Sequence, residues 1–396
     1  GLLIALTSVA TVSIILPVFR DSLIAYYRLS NTGFGVLANI GSLAGAGGAL
    51  LSGLLTDRRG AWPVFRVSLA GCAAGYAWGA VPAGAGAMIG ALALLNFFYY
   101  GMAVSAQAAL VALFPEARRR VITVYLAGAA LMGMALPLIG EWQLTSVAAG
   151  WMSFGQSLHG LFAVAALILA AGLVWSGRLA AAPLPAPAPS AAAGRGGTVS
   201  GLGWLVAFAA LHCGHDNMVY TWLPLVLAGP SFASHAILPG LVLALFSLGY
   251  LLSRLALGTM PERKWRRRLL VAPGLLGGAV LLAGLLSRSP MGLALGYVLG
   301  GLCWSVEYPM AISAMAGDRR FGFAMGIVNV AGGAFCFIGP AALGRAADAL
   351  VSAGVPERAW LVLLAPAAGF LGNGLLGAFW VRRHGRPLDA APPLSS

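Results

Sequence analysis

The segment Gly53-Leu-Leu-Thr-Asp57-Arg58-Arg59-Gly60 closes a long apolar run of the sequence. A similar segment, Gly258-Thr-Met-Pro-Glu262-Arg263-Lys264, closes another apolar run 205 positions later. Each segment places an acid four residues after a glycine and follows it with cations. Because the same signature occurs at the same place in each half, we expect the chain to consist of two copies of one membrane unit. This organisation favours transport over catalysis.

The composition is that of an integral membrane protein. Hydrophobic residues make up 60% of the chain and charged residues 9%, whereas soluble proteins are roughly half apolar and a quarter charged. The apolar residues form runs of about 20, the length of an α-helix that crosses a bilayer. A porin-type barrel would show short alternating segments instead. The fold class predicted is all-α, with no cleavable signal and a first span over residues 1–19.

Charged or Pro/Gly-rich breaks divide the chain into twelve predicted spans. They cover residues 1–19, 32–55, 62–82, 87–113, 119–140, 151–175, 202–227, 236–258, 268–287, 291–315, 320–344 and 358–381. A tract with prolines at 183, 185, 187 and 189 is predicted to be a linker. The predicted domains are an N-terminal six-helix bundle (1–177), the linker (178–200), a C-terminal six-helix bundle (201–384) and a tail (385–396).

The net charge of +13 would suggest nucleic acid as a partner of a soluble protein, but here the cations lie between apolar runs. The breaks after even-numbered spans contain Arg58, Arg59, Arg118 to Arg120, Arg178, Arg195, Arg263 to Arg268, Arg319, Arg320, Arg382 and Arg383. By the positive-inside rule, the linker and both termini are predicted to be cytoplasmic, in a plasma membrane of the bacterial inner-membrane type. The expected partners are the lipid bilayer and a small solute, not nucleic acid.

The internal repeat extends beyond the two loop segments. At an offset of 205, Ser42 corresponds to Ser247, and at an offset of 200, Gln107 corresponds to Glu307. The pairs Arg119 and Arg319, Arg120 and Arg320, and Gly133 and Gly333 follow the second offset. Parallel six-helix repeats of this kind build one large class of transporters.

On these residues the chain resembles the major facilitator superfamily over essentially its whole length. Gly53-x3-Asp57-Arg58-x-Gly60 is similar to the superfamily's signature loop between helices two and three, and Glu262-Arg263 to a weaker second copy. Residues 114–119 resemble the cytoplasmic end of helix four. In two departures, Ala61-Trp62 replaces the usual basic pair and Pro261 interrupts the second copy. The fold implied is two pseudo-symmetric six-helix bundles.

The resemblance also implies a gate. The loop acid of the family caps a neighbouring helix N-terminus and pairs with arginines in the inward-closed state, and this pairing must break when the halves rock apart. Asp57, Arg58, Glu262 and Arg263 are therefore the gate candidates. The alternative is a solvated cluster that serves only membrane topology.

Two acids fall well inside predicted spans, Asp216 in span seven and Glu307 in span ten. A charge at the bilayer centre costs about 2.5–3.5 kcal/mol on insertion scales, so such residues usually mark a pathway. His212 and Tyr220 share a helix face with Asp216, and His215 lies at its edge. Trp304 shares a face with Glu307 in the same way.

Spans one, four, seven and ten line the central cavity of the family, so the resemblance implies that both acids point into it. Span four contributes Asn96, Tyr100 and Gln107 on one face. Span one contributes Thr7, Ser8, Thr11 and Ser13. The charged chemistry is thus biased to the C-terminal half.

The coupling hypothesis is that Asp216 or Glu307 binds a proton, tuned by His212 or His215, because buried carboxyls and histidines can exchange protons near neutral pH. One alternative is that these groups only hold helices together, and another is a sodium site. The four cysteines (Cys72, Cys213, Cys303 and Cys336) lie in apolar runs without metal-type spacing. No metal site or cofactor is predicted.

The solute is predicted to be neutral or cationic, since no cation is predicted at mid-membrane; Arg20 and Arg254 lie near the ends of spans one and eight. Amide and aromatic side chains suit a hydroxyl-rich molecule. Residues 214–216 and 222–224 resemble fucose-type permeases, although span one lacks the acid of those permeases. The hypothesis is a monomeric proton-coupled symporter. The alternatives are a lipophilic-cation exporter and a receptor-like protein; no motif of an enzyme is evident.

Overall fold

The computed structural model describes residues 2–29, 31–179, 201–228, 239–260, 266–315 and 321–384. These residues form helices and short connections, with no strand among them. The helices of the N-half are α1 (Leu2–Val9), α2 (Arg20–Tyr27), α3 (Asn31–Arg59), α4 (Ala61–Gly79), α5 (Ala85–Leu113), α6 (Arg118–Ala148) and α7 (Phe154–Leu179). Those of the C-half are α8 (Leu202–Ala228), α9 (Pro239–Thr259), α10 (Arg266–Leu269), α11 (Ala272–Leu286), α12 (Pro290–Trp304), α13 (Glu307–Met315), α14 (Phe321–Ser352) and α15 (Leu364–His384).

Each of the twelve predicted spans corresponds to a helical segment. Within the described ranges, 7 helices are both long enough and apolar enough to cross a membrane. The chain is therefore an all-α, multi-pass membrane protein, as predicted. Helix α7 includes the first two residues of the predicted linker, 178 and 179. The rest of the linker and the tail lie outside the described residues, and the domain boundaries stay predictions.

Span one is not the single helix over residues 1–19 that the sequence predicted. The α-helix ends at Val9, a short 3-10 helix covers Val12–Ile15, and α2 begins only at Arg20. Pro17 lies in this interruption, where its ring and missing N–H disfavour continued helix. The interruption leaves backbone carbonyls at membrane depth, and the carbonyl of Ile14 accepts a hydrogen bond from Tyr220 of the C-half at 3.3 Å.

Span ten is also interrupted, because α12 ends at Trp304 and α13 begins at Glu307. Pro309 accounts for the interruption: it has no N–H to donate to the carbonyl of Ser305, four residues earlier. That carbonyl instead accepts from Nε of Arg254, at 3.5 Å. Glu307 therefore lies at the start of a helix, where the helix dipole favours a negative charge.

The two halves meet along α3 with α14 and along α6 with α9. Glycines permit the closest approach between α3 and α14, since a Cβ added at Gly53 would lie 2.3 Å from the carbonyl oxygen of Gly322. Each half also has its own apolar core. A third apolar cluster joins the halves, with Ile122 on one side and Met310 on the other.

Candidate transport site

A cavity between the halves forms the first chamber, with a volume of about 250 Å³. Its walls come from the interrupted first span, α3, α5 and α8. The polar lining residues are Thr11, Asn39, Ser42, Asn96, Tyr99, Tyr100, Asn217, Tyr220 and Thr221. Asn96, Tyr100 and Tyr220 are therefore at the cavity, where the sequence predicted them.

The second chamber is smaller, about 170 Å³, and lies further along α5 toward the arginine-rich end of the molecule. It is lined by Thr7, Ser8, Tyr99, Tyr100, Ala103, Gln107, Tyr125, Leu126, Ala129, Cys213, Tyr308 and Asn329. Tyr99 and Tyr100 belong to both chambers and stand between them. Gln107 is buried, and its Oε1 has no hydrogen-bond partner among the described residues.

The lining residues of both chambers are apolar, hydroxyl or amide residues, and none of them is charged. Asn217 joins the halves across the first chamber, because its Nδ2 donates to Oδ1 of Asn39 at 3.3 Å and to the carbonyl of Cys336 at 3.0 Å. Sequence reasoning missed this pair. Asn217 follows Asp216 directly, so the rotation of about 100° per helical residue turns it to a different face.

Glu307 is fully buried inside the C-half. Its Oε2 accepts from Nδ1 of His212 at 2.9 Å and from Nδ2 of Asn373 at 2.7 Å, while Oε1 has no hydrogen-bond partner in the described part of the chain. Gly274 makes room for that oxygen, since a Cβ there would lie 2.5 Å from Oε1. Asn373 was not predicted, because it lies on α15, far away in sequence.

Asp216 is only partly buried, and its Oδ1 accepts from the hydroxyl of Tyr250 at 2.7 Å and from Nε1 of Trp304 at 3.1 Å. Trp304 is fully buried and stacks on Phe370, with ring centroids 3.9 Å apart. His215 packs edge-on against Phe335. These side chains belong to the interior of the C-half.

The expectation that both acids point into the central cavity stays a prediction, and the linings of the two chambers give it no support. Neither Asp216 nor Glu307 lines either chamber, and both carboxylates bond to other helices of the C-half. His212, Asp216 and Tyr220 share a helix face but not an environment, because only Tyr220 reaches across to the N-half. Helical spacing predicts which side chains point in the same direction from one helix. Which residues they meet in that direction depends on how the neighbouring helices pack.

The arginine-rich end is closed by contacts from the N-half to helix ends of the C-half. Asp57 accepts from the backbone N–H of Gly322 at 3.1 Å and of Phe323 at 2.9 Å, and so caps the N-terminus of α14. The buried Arg119 donates to the carbonyl of Met260, just after α9. An acid at a helix N-terminus and a cation at a C-terminus are both favourable.

The capping contact of Asp57 is the one that the resemblance implied for the loop acid. Asp57 and Arg58 are both exposed. Glu262 and Arg263 lie outside the described residues, so the gate function of all four residues stays a prediction.

A cross-half contact also lies at the opposite end. Oε1 of Glu141, toward the far end of α6, accepts from the backbone N–H of Gly240 at the start of α9, at 2.9 Å. Among the described residues, cross-half contacts therefore lie on both sides of the chambers.

Solved structures that superpose on this chain include transporters. The human organic anion transporter MFSD10 (TETRAN) superposes with a TM-score of 0.73 at 17% identity, over 95% of this chain and 97% of that chain. The outward conformation of FucP, the E. coli fucose:proton symporter, superposes with a TM-score of 0.66 at 17% identity, over 96% of this chain and 97% of that chain. The proton:xylose symporter XylE superposes with a TM-score of 0.66 at 12% identity, over 96% of this chain and 95% of that chain. No family model matches the sequence, and no curated protein matches it.

These likenesses cover nearly the whole chain, and together with the helix order they define its class: the chain has the fold of the major facilitator superfamily. This confirms the fold that the repeated loop predicted.

Proposed function

We propose that the chain is a secondary active transporter that moves a small, neutral, polar solute by alternating access, in symport with protons. The observation that carries this proposal is the uncharged polar cavity between the two halves, with cross-half contacts on both sides of it. Alternating access needs such a site, together with contacts that can break on one side at a time.

The lining supports a neutral solute. An anion would favour a cation in the wall, and a cation would favour a carboxylate, but the residues that line the two chambers include neither. Amides and tyrosine hydroxyls can exchange hydrogen bonds with hydroxyl or amide groups, and their rings can pack on the carbon frame. Hydroxyl-rich solutes fit this description.

The cavity size argues against the exporter alternative. Sites for drug-sized ligands occupy about 300–1,000 Å³, whereas the chambers measure about 250 and 170 Å³ and are divided by two tyrosines. An uncharged wall of this size suits a small neutral solute better than a lipophilic cation.

Glu307 is the favoured site for the coupled proton. A fully buried carboxylate is costly unless donors satisfy both oxygens, yet only one of its oxygens has them. A proton shared between Glu307 and His212 would remove that cost. The next residue, Tyr308, lines the second chamber, which offers a short path from protonation to the cavity wall.

Solute identity can be tested by a thermal-shift screen of the purified protein against sugars, polyols, amino acids, organic ions and drugs at two pH values. We expect a neutral polar solute to raise the Tm, because ligands that bind the folded state stabilise it. Asn217→Ala should weaken the binding of that solute by roughly tenfold, about the effect of one or two net hydrogen bonds. The control is Thr145→Val, an exposed position on α6.

Two results would contradict this assignment. Stabilisation by lipophilic cations alone would favour the exporter. Binding without flux of that solute in proteoliposomes would favour a receptor-like role.

The gate prediction concerns Asp57. Asp57→Ala removes the acceptor for two backbone N–H groups at the start of α14, and loss of a helix cap costs about 0.5–2 kcal/mol. The arginine-rich end should therefore open more often. Cys213 lines the second chamber and can report this opening when Cys72, Cys303 and Cys336 are replaced by alanine. We expect its alkylation by a soluble maleimide to become severalfold faster.

The matched control is Asp348→Ala. Asp348 is an exposed acid on α14, near the end of that helix opposite to the one that Asp57 caps. Equal rates of alkylation in the Asp57 variant and the unchanged reporter protein would show that Asp57 is not part of the gate.

A further inference from the structure

Arg254 is a buried cation at the contact between the halves, although the sequence placed it only near a span end. It is 8% exposed. Its Nη1 donates to the carbonyl of Leu126 on α6 at 2.8 Å, and its Nε to the carbonyl of Ser305 at 3.5 Å. The guanidinium thus ties a helix of the N-half to the interruption between α12 and α13. Leu126 also lines the second chamber, so the tie lies beside the cavity.

Tyr250 stands between this cation and the acid of span seven. The guanidinium carbon of Arg254 lies 4.6 Å from the centre of the Tyr250 ring, and the hydroxyl of Tyr250 donates to Asp216 at 2.7 Å. Within the described residues, no ion pair joins Arg254 to Asp216 directly. One tyrosine therefore contacts the cation with its ring face and the anion with its hydroxyl.

A buried cation needs a compensating charge, because transfer of an ion out of water costs several kcal/mol that neutral partners repay only in part. Two backbone carbonyls and an aromatic face are neutral partners. Asp216 supplies a negative charge on the far side of the same ring, where Trp304 holds its carboxylate in place.

We propose that Tyr250 is a positioning residue that holds Arg254 in its tie to Leu126, with Asp216 as the counter-charge, and that this tie stabilises the state closed at the arginine-rich end. The inference rests on the proposed transport function. It separates the roles of the two acids: Asp216 serves closure through Arg254, whereas Glu307 serves the proton.

The first test compares two tyrosines of the same aromatic cluster in the Cys213 reporter protein. Tyr250→Phe keeps the ring under Arg254 but removes the bond to Asp216. Tyr297→Phe is the matched control, since the hydroxyl of Tyr297 is buried and has no hydrogen-bond partner among the described residues. We expect Tyr250→Phe to accelerate Cys213 alkylation roughly two- to tenfold, the effect of one net hydrogen bond, and Tyr297→Phe to leave it unchanged. Equal rates in the two variants would overturn the proposal.

The second test is a double-mutant cycle on the two charges. Asp216→Asn keeps an oxygen for Tyr250 and Trp304 but removes the charge, and Arg254→Gln removes the cation. Because Asp216 and Arg254 act directly on the Cys213 thiol, the reporter for this cycle is a cysteine introduced at Ala103, which lines the second chamber from α5, with Cys213 also replaced by alanine. Each single variant should accelerate alkylation at position 103, but the double variant should react no faster than Arg254→Gln alone, because the counter-charge then has no cation to hold. Effects that multiply would show that the two residues act independently and would overturn the proposal.

These measurements are separable from the proposed function, because alkylation needs no solute. Suppose that Asp216→Asn changes alkylation as expected but the unchanged protein transports no solute in any assay. The tie between the halves then stands and the transport proposal fails. If Asp216→Asn abolishes proton-driven accumulation without changing alkylation, Asp216 is a coupling acid and the tie is wrong. Elution of each variant as a single folded species on size-exclusion chromatography is the condition for the comparison.

Discussion

Replacing Glu307 with glutamine is expected to abolish accumulation of solute against its gradient while exchange of solute across the membrane continues. Glutamine resembles the protonated carboxyl in shape and hydrogen bonding, so the pocket formed by His212, Asn373 and Gly274 should stay intact. The variant would carry no exchangeable proton at this site. Accumulation is measured in proteoliposomes with an imposed pH gradient, and exchange by counterflow of labelled solute at equal pH.

The control for this prediction is Glu357→Gln, because Glu357 is an exposed acid whose side chain is 56% exposed. It should accumulate solute as the unchanged protein does. If Glu307→Gln also accumulates solute fully, the proton does not bind at Glu307. If counterflow is lost together with accumulation, Glu307 has a structural role and the proposed coupling site is wrong.

The second large effect is expected from Gly53→Ala. A Cβ at this position would lie 2.3 Å from the carbonyl oxygen of Gly322, a contact with backbone that no side-chain rotation can relieve. Overpacking of this kind costs about 1–3 kcal/mol, and here the cost falls on the closed state of the arginine-rich end. Because each transport cycle passes through that state, uptake should fall by roughly five- to a hundredfold, as measured by initial rates in proteoliposomes.

Gly35→Ala is the matched control, since Gly35 lies in the same helix and a Cβ there would meet nothing within 4 Å. Alanine should stabilise helix α3 slightly at that position and leave transport unchanged. Equal uptake by the Gly53 and Gly35 variants would show that the close approach of α3 to α14 is not needed for transport.

The spans were predictable because their signal is local. Runs of about 20 apolar residues, the bias of the arginines and the repeated loop together predicted twelve spans, and the helices observed agree with them. The interruption of span ten was also within reach of sequence reasoning, because Pro309 cannot donate to Ser305. It was missed because hydropathy averages over a window and does not register one absent hydrogen bond.

The site was predictable only in part. Polar residues at membrane depth identified Asp216 and Glu307 as unusual, and Asn96, Tyr100, Gln107 and Tyr220 do line the chambers. Sequence could not show that neither acid lines either chamber, nor that Asn39 and Asn217 meet across the first one. Each of these contacts joins helices far apart in the chain, and no periodicity within one helix specifies which neighbour it will face.

Arg254 shows most clearly which features depend on the sequence and which depend on packing. Its distance from the end of span eight predicted a cation near the membrane surface, yet packing of α6 against α9 covers it and directs it to Leu126 and Tyr250. The sequence by itself determined the membrane class, the two-fold repeat and the presence of acids at depth, because these depend on hydrophobicity and spacing along one helix. Only the tertiary structure decided which acid faces a histidine, which faces an arginine through a tyrosine, and which side chains form the cavity, because those depend on how separate helices pack.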